Sequence, residues 1–392
     1  MDQVLRDYQV EMLERLRQAW SGIANPRQQS VMVQMPTGTG KTYLMAEVIR
    51  TITNKQETIN GGGVLVVAHR IELIEQISQT LDRFGIKHGI LNKGFSFNNE
   101  FNELPQVMVA SIQTLTRRIW TTDYTDSTDY DLDTNFSLII IDEAHHAVAE
   151  TYRMLWDWWP KAKFLGLTAT PCRLNGAPFT DLFDMLLQSW SIREFIQKGW
   201  LSDLDYVSVR SDSIAVRKVA SLNKRGADGD YQTKQAALVL DTEESIEHLY
   251  WSYKEFADGK KGIVYAINDI HAQAIAEYYS RHGVAAKVFY GDWPSKPRFP
   301  MKDFCSGKLK ILVDVQGMSV DHHLPEVQFV QLAYPTQLLS EYLSLVVARM
   351  RVTTDFTEGE GIEDSDNKLL VIDHVKMGET FGLPTDERWK DY

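Results

Sequence analysis

The chain has 392 residues, 44% hydrophobic and 24% charged, the balance of a water-facing folded protein with more than one core. Its 41 basic and 53 acidic residues leave a net charge of −12, which excludes a generally basic nucleic-acid-coating surface. No apolar run approaches the ~18 residues that span a bilayer, and no apolar leader follows the early acid, so membrane roles drop out and a cytoplasmic setting is expected.

Strand-like and helical runs alternate along the chain. An amphipathic helix over 5–18, opening Leu5-Arg6-Asp7-Tyr8-Gln9, precedes short β-branched or apolar strands at 31–34, 64–68, 107–110, 138–141 and 164–168. Helices fit between them at 41–52, 70–84 and 150–158. The polar stretch 223–230 has the composition of a connector. A second series follows, with strands at 262–266, 286–289, 311–315, 327–332 and 369–372 and helices near 241–257, 269–282 and 337–350. Interleaved buried strands and helices predict parallel sheets with right-handed crossovers. The expected organisation is α/β: lobe 1 over 1–205, a connector over 206–240 and lobe 2 over 241–392.

The acidity is concentrated in two places. Residues 121–135 hold five aspartates and no base, and 352–367 hold Asp355, Glu358, Glu360, Glu363, Asp364 and Asp366, again with no base. Both read as solvated insertions, and without them the chain is near neutral, so net charge does not settle the partner. The two cysteines, Cys172 and Cys305, provide no disulfide framework and no zinc-ligand set.

Two strings carry the chemistry. Residues 35–42, Met-Pro-Thr-Gly-Thr-Gly-Lys-Thr, lie between a strand and a helix. Gly38 and Gly40 permit a tight turn around phosphate, backbone N–H groups at the helix start attract the anion, Lys41 adds a point charge and Thr42 a metal-facing hydroxyl. The strict pattern has glycine where Met35 stands. The second string, Asp142-Glu143-Ala144-His145, ends the apolar run 138–141 and so places an acid pair at the tip of a buried strand. Asp142 is suited to hold Mg²⁺ through water and Glu143 to polarise the attacking water, two jobs in two positions. The pair of strings points to an ATP-driven machine. His69-Arg70, Gln113-Thr114 and Thr168-Ala169-Thr170 each follow a strand, where open α/β sheets meet their ligands. Trp156, Trp158 and Trp159 read as helix packing rather than base-stacking platforms.

Taken in order, these strings resemble a superfamily 2 helicase core, in the branch that contains restriction-enzyme translocase subunits and DEAD/DEAH-box repair-type helicases. Leu5–Gln9 resembles the adenine-reading Q-type motif, 35–42 motif I, 67–70 motif Ia and 110–115 a further strand-contacting motif. Residues 142–145 resemble motif II, 167–171 motif III, 263–266 motif IV, 311–325 motif V and 344–351 motif VI. The resemblance implies two RecA-like lobes with ATP and Mg²⁺ in the cleft and nucleic acid across both, DNA ahead of RNA. By the same resemblance Arg6 and Gln9 would contact the base, and Pro36, Thr37, Gly38, Thr39, Gly40, Lys41 and Thr42 the triphosphate. His69, Arg70, Gln113, Thr114 and Arg173 would contact the strand, and His145, Thr168 and Thr170 would couple the two. The catalytic set would be Lys41, Asp142, Glu143 and Arg351.

Lobe 2 departs from the family's pattern. Ser344, Val347 and Ala348 stand where motif VI carries Gln, Gly and its first Arg, leaving Arg351 as the surviving arginine finger. Asp321, His322 and His323 replace the Gly-aromatic-Asp that ends motif V; the histidine pair reads as solvated, not as a metal site. Two readings follow: an active nucleic-acid-dependent ATPase, or an ATP-binding clamp that hydrolyses weakly and needs a partner. No nuclease module is evident in the chain, so that function or activation would come from a protein partner.

Overall fold

The computed structural model describes residues 5–21, 30–54, 62–69, 71–91, 105–120, 136–146, 150–170, 181–209, 214–226, 230–291, 296–315, 324, 327–350 and 368–386. The chain divides into two compact units, Met1–Trp190 and Ser191–Tyr392.

The first unit contains α1 (Asp7–Ser21), β1 (Ser30–Gln34), α2 (Lys41–Asn54), β2 (Gly63–Ala68), α3 (Ile71–Arg83), β3 (Gly89–Leu91), β4 (Val107–Ser111), α4 (Ile112–Trp120), β5 (Phe136–Ile141), α5 (Glu150–Trp158), β6 (Lys163–Thr168) and β7 (Met185–Gln188). In α1 the buried residues Tyr8, Met12, Leu13, Leu16 and Ala19 recur at helical spacing and form one apolar stripe. The seven strands pair only in parallel, in the order β3-β4-β2-β5-β6-β1-β7. All their carboxyl ends therefore lie on one edge. Strands β1, β4 and β5 are buried along their whole length, as expected of a parallel sheet covered on both faces. One core face joins Met32, Leu65, Ile139 and Phe164 to Leu155 of α5 and to Trp159 just beyond it. Cutting a leucine as buried as Leu155 back to alanine costs about 2–5 kcal/mol. The tryptophans are packing residues, as expected: Trp156 stacks on Phe164 at 4.1 Å, and Trp159 meets Phe136 edge-on at 5.4 Å.

The second unit contains α6 (Ile192–Gln197), β8 (Leu204–Ser208), α7 (Ile214–Ala220), α8 (Thr233–Leu240), α9 (Glu243–Phe256), β9 (Gly262–Ala266), α10 (Asp269–Arg281), β10 (Ala286–Phe289), α11 (Met301–Cys305), β11 (Ile311–Val315), β12 (Phe329–Leu332), α12 (Leu339–Val347), β13 (Leu369–Asp373) and α13 (Met377–Phe381). Its six strands, ordered β10-β11-β9-β12-β13-β8, are again all parallel. Local signals start the helices. Ser191 and Glu194 form a capping box at α6, and Thr242 and Asn268 cap α9 and α10 through the amides of Ser245 and His271.

The boundary differs from the expected one near 205. Leu204–Ser208 pairs with Leu369–Asp373, which assigns β8 to the second sheet. The expected connector over 206–240 carries α7 and α8, and Asp230 within it is anchored. Its Oδ1 accepts from the Gln337 amide at 2.7 Å and its Oδ2 from the Thr336 hydroxyl at 2.5 Å.

Among the described residues no helix is long and apolar enough to cross a membrane, and no cluster of three His, Cys, Asp or Glu side chains could hold a metal ion.

Candidate functional site

The site stands on the carboxyl edge of the first sheet. Residues 35–40 leave β1 and enter α2 through a loop with Gly38 at φ 82° and Gly40 at φ 83°, a region glycine enters freely. The base of the loop is tied to β6: the Met35 amide donates to the Thr168 carbonyl at 2.9 Å, and Gln34 Nε2 to the Ala169 carbonyl at 3.0 Å. Its crest is tied to α1. Tyr8 Oη donates to the Thr39 carbonyl at 2.9 Å, while Gln9 Nε2 reaches the carbonyls of Thr39 and Gly40 at 3.3 and 3.2 Å. Gln9 Oε1 accepts from the Arg6 amide at 3.0 Å. A Cβ at position 40 would sit 2.5 Å from Gln9 Nε2, a second reason for glycine there.

Opposite the loop, the Asp142 amide continues the ladder by donating to the Val67 carbonyl at 3.0 Å. Asp142 is 6% exposed. Its Oδ1 accepts from the Glu143 amide at 3.1 Å, and Glu143 adopts φ 50°. A left-handed non-glycine backbone costs of order 1–3 kcal/mol and persists only where its surroundings over-determine it. Those surroundings are Lys41, whose Nζ lies 3.7 Å from Glu143 Oε1, and His145, whose Nδ1 lies 3.2 Å from Glu143 Oε2.

His145 links the acid turn to β6, its Nδ1 lying 3.1 Å from Thr168 Oγ1. Thr168 Oγ1 gives its one hydrogen to the Thr170 carbonyl at 2.8 Å and accepts from the Thr170 amide at 3.2 Å. The contact to imidazole therefore requires a hydrogen on Nδ1, shared between Glu143 and Thr168. Lys41, Asp142, Glu143, His145, Thr168 and Thr170 thus form one connected group. A buried ammonium beside a helix N-terminus suits a phosphate, and the hard oxygens of Thr42 and Asp142 suit Mg²⁺.

Residues 2–173 match the family described as type III restriction enzyme, res subunit. A 51.5 kDa protein of a Lactococcus phage is 27% identical over 92% of this chain and 69% of its own length. IRC3 of Saccharomyces cerevisiae, described as an ATP-dependent helicase, is 25% identical over 89% of this chain and 50% of its own length. A fragment of an HsdR subunit of a type I restriction enzyme from Vibrio vulnificus superposes with a TM-score of 0.67 at 19% identity, covering 99% of this chain and 67% of that one. Together these likenesses support a superfamily 2 helicase core in the branch of restriction-enzyme and repair helicases.

In the first unit, His69 is exposed just beyond β2 and Gln113 is exposed in the first turn of α4, beyond the neighbouring β4. Thr114 is half-buried, and its amide is capped by Ser111 Oγ at 3.1 Å. These residues share the carboxyl edge with the phosphate loop but lie on the β2–β4 side of the sheet. Arg70, Arg173, Arg351, Asp321, His322 and His323 lie outside the described residues.

In the second unit, Val347 is buried, and Ser344 and Ala348 are half-buried. Arg349, next to Ala348, is 4% exposed, and its Nε donates to Tyr265 Oη at 3.3 Å. Sequence reasoning missed three supporting residues of lobe 1. Tyr8 and Gln34 hold the loop as described, and Tyr152 is buried in α5. Burial first, then the Asp142 charge, push the Tyr152 phenol above its ordinary range. Of the three, only Tyr8 carried a signal, through its place beside Gln9.

Proposed function

We propose that this chain is a nucleic-acid-dependent ATPase, acting as a helicase or translocase on DNA in preference to RNA. The observation that carries the reading is the linkage of Lys41, Glu143, His145 and Thr168 on one sheet edge. In this reading the loop Pro36-Thr37-Gly38-Thr39-Gly40 and Lys41 grip the triphosphate, and Thr42 and Asp142 hold Mg²⁺. The ion neutralises charge on the phosphates. Glu143 accepts a proton from the attacking water, and Arg6 and Gln9 set the adenine side of the loop. His69, Arg70, Gln113, Thr114 and Arg173 face the strand's phosphates, and Arg351 is the surviving transition-state arginine. His145 and Thr168, with Thr170, carry the state of the acid turn into β6 and toward the strand-facing loops.

The phage and yeast relatives extend beyond the length they share with this chain, so a partner segment or subunit supplying activation or nuclease function belongs to the same proposal. The second reading, an ATP-binding clamp that hydrolyses weakly, is favoured by one observation: Ala348 at the arginine position, with Arg349 turned into the core. ATP turnover with and without single- and double-stranded DNA and RNA tests both. Turnover above a Glu143→Gln control and stimulated by DNA supports the first reading. Bound ATP with turnover equal to that control supports the second.

A further inference from the structure

Gly166 lies in mid-strand of β6, paired with Met32 on one side and Ile141 on the other. It is not among the glycines of positive φ, so its backbone would accept any residue. What excludes a side chain is space. A Cβ there would lie 2.9 Å from the Ala144 Cβ and 2.6 Å from Cζ of Phe183, nearer than real Cβ atoms come to other heavy atoms. Ala144 is fully buried and opens the single 3₁₀ turn Ala144–His146 that follows Asp142 and Glu143. Gly166 and Thr168 are two apart and share one face of β6. That face receives the turn twice: Ala144 settles over Gly166, and His145 bonds to Thr168 two residues on.

We infer that Gly166 is a positioning residue whose missing side chain sets the height of the acid turn over β6, and so the placement of Glu143. The inference rests on the hydrolytic reading above. A methyl group at 166 pushes on Ala144, directly after Glu143. Glu143 already holds a left-handed backbone and is tied to its own neighbour Asp142, so it has little freedom to absorb the shift. The phosphate loop follows β1, and among the described residues its base is tied to Thr168 at the end of β6 and to Ala169 just after it, both beyond Gly166. Nucleotide affinity is therefore spared while turnover falls.

The test is a Gly166→Ala variant of the full chain, with its crystal structure, ATP affinity and turnover. The expected structure has the 144–146 turn displaced and the Lys41–Glu143 contact altered. Turnover falls between about tenfold and 10²-fold with affinity nearly unchanged, the scale of an ångström misplacement. Adding Ala144→Gly restores most of the loss, and adding Phe183→Leu does not. An unmoved turn, undiminished turnover, or equal rescue by Phe183→Leu overturns the inference. If Gly166→Ala alone does not fold, the double variant with Ala144→Gly must fold, and its failure also overturns it. If the unmodified protein shows no turnover above Glu143→Gln, the hydrolytic reading fails, and the position of the turn in the variant structure decides the inference alone.

Discussion

The ammonium of Lys41 lies 3.7 Å from Oε1 of Glu143, so the proposed phosphate grip and the proposed base meet on one side of lobe 1. Their losses should differ in kind. Lys41→Ala removes charge from the triphosphate side and is expected to weaken ATP binding itself. Glu143→Gln keeps shape and removes the proton acceptor, so ATP binds while turnover falls by about 10²–10⁴. Equilibrium binding of a fluorescent ATP analogue beside steady-state hydrolysis separates the two. Equal binding loss in both variants would contradict these roles.

Thr168 gives its only hydroxyl hydrogen to Thr170 while taking one from His145. Thr168→Ala breaks that chain without touching Lys41 or the acid pair. Basal hydrolysis should hold within a few-fold, and stimulation by DNA should fall between about 5- and 150-fold, the size of a typical coupling energy of 1–3 kcal/mol. Hydrolysis rates with and without saturating DNA give the ratio directly.

Ala348 is half-buried at the carboxyl end of α12, where the family's first motif VI arginine is expected. An arginine finger is worth about 10³–10⁵ in turnover where it operates. Ala348→Arg is therefore expected to raise ATP turnover by about tenfold or more. An unchanged rate would mean that this arginine is supplied by another chain or has no part in the reaction.

His374 and His271 are buried in lobe 2, and burial lowers their pKa values to about 3 and about 4. In the unfolded chain both titrate near 6.5, the ordinary histidine value. Above that pH neither state binds the proton, and stability does not depend on them. Below it the unfolded chain takes up protons that the folded chain refuses, so stability falls until the folded values are reached. At pH 5 each histidine costs roughly 2 kcal/mol relative to pH 7.5. Urea unfolding at the two pH values should show the loss, and His271→Gln should remove about half of it. A pH-independent midpoint would show that both sites take up protons when folded.

The fold was readable wherever a strand is covered on both faces. The runs 138–141 and 262–266 announce β5 and β9 because every residue in those strands is buried. Strands β3, β7 and β8 gave no such run, and all three are sheet edges. Leu204–Ser208, for instance, has no fully buried residue. Polarity misled at Asp230, which reads as linker until Thr336, 106 residues away, is seen donating to it. At the site, residue type named Gln9 but not its bonds to the carbonyls of Thr39 and Gly40, because a local pattern holds no information about which way an amide turns.

Parallel pairing also fixes the order in which a growing chain can complete each lobe. Strand β1, which bears the phosphate loop, has only β6 and β7 as neighbours, so it stays unpaired during synthesis until residue 163 and beyond have been made. Strand β8 waits longer, since its one neighbour among the described residues is β13 at Leu369–Asp373. Each lobe is sealed by the strands translated last, so a ribosome that stalls before residue 369 releases a second lobe whose opening strand has nothing to join.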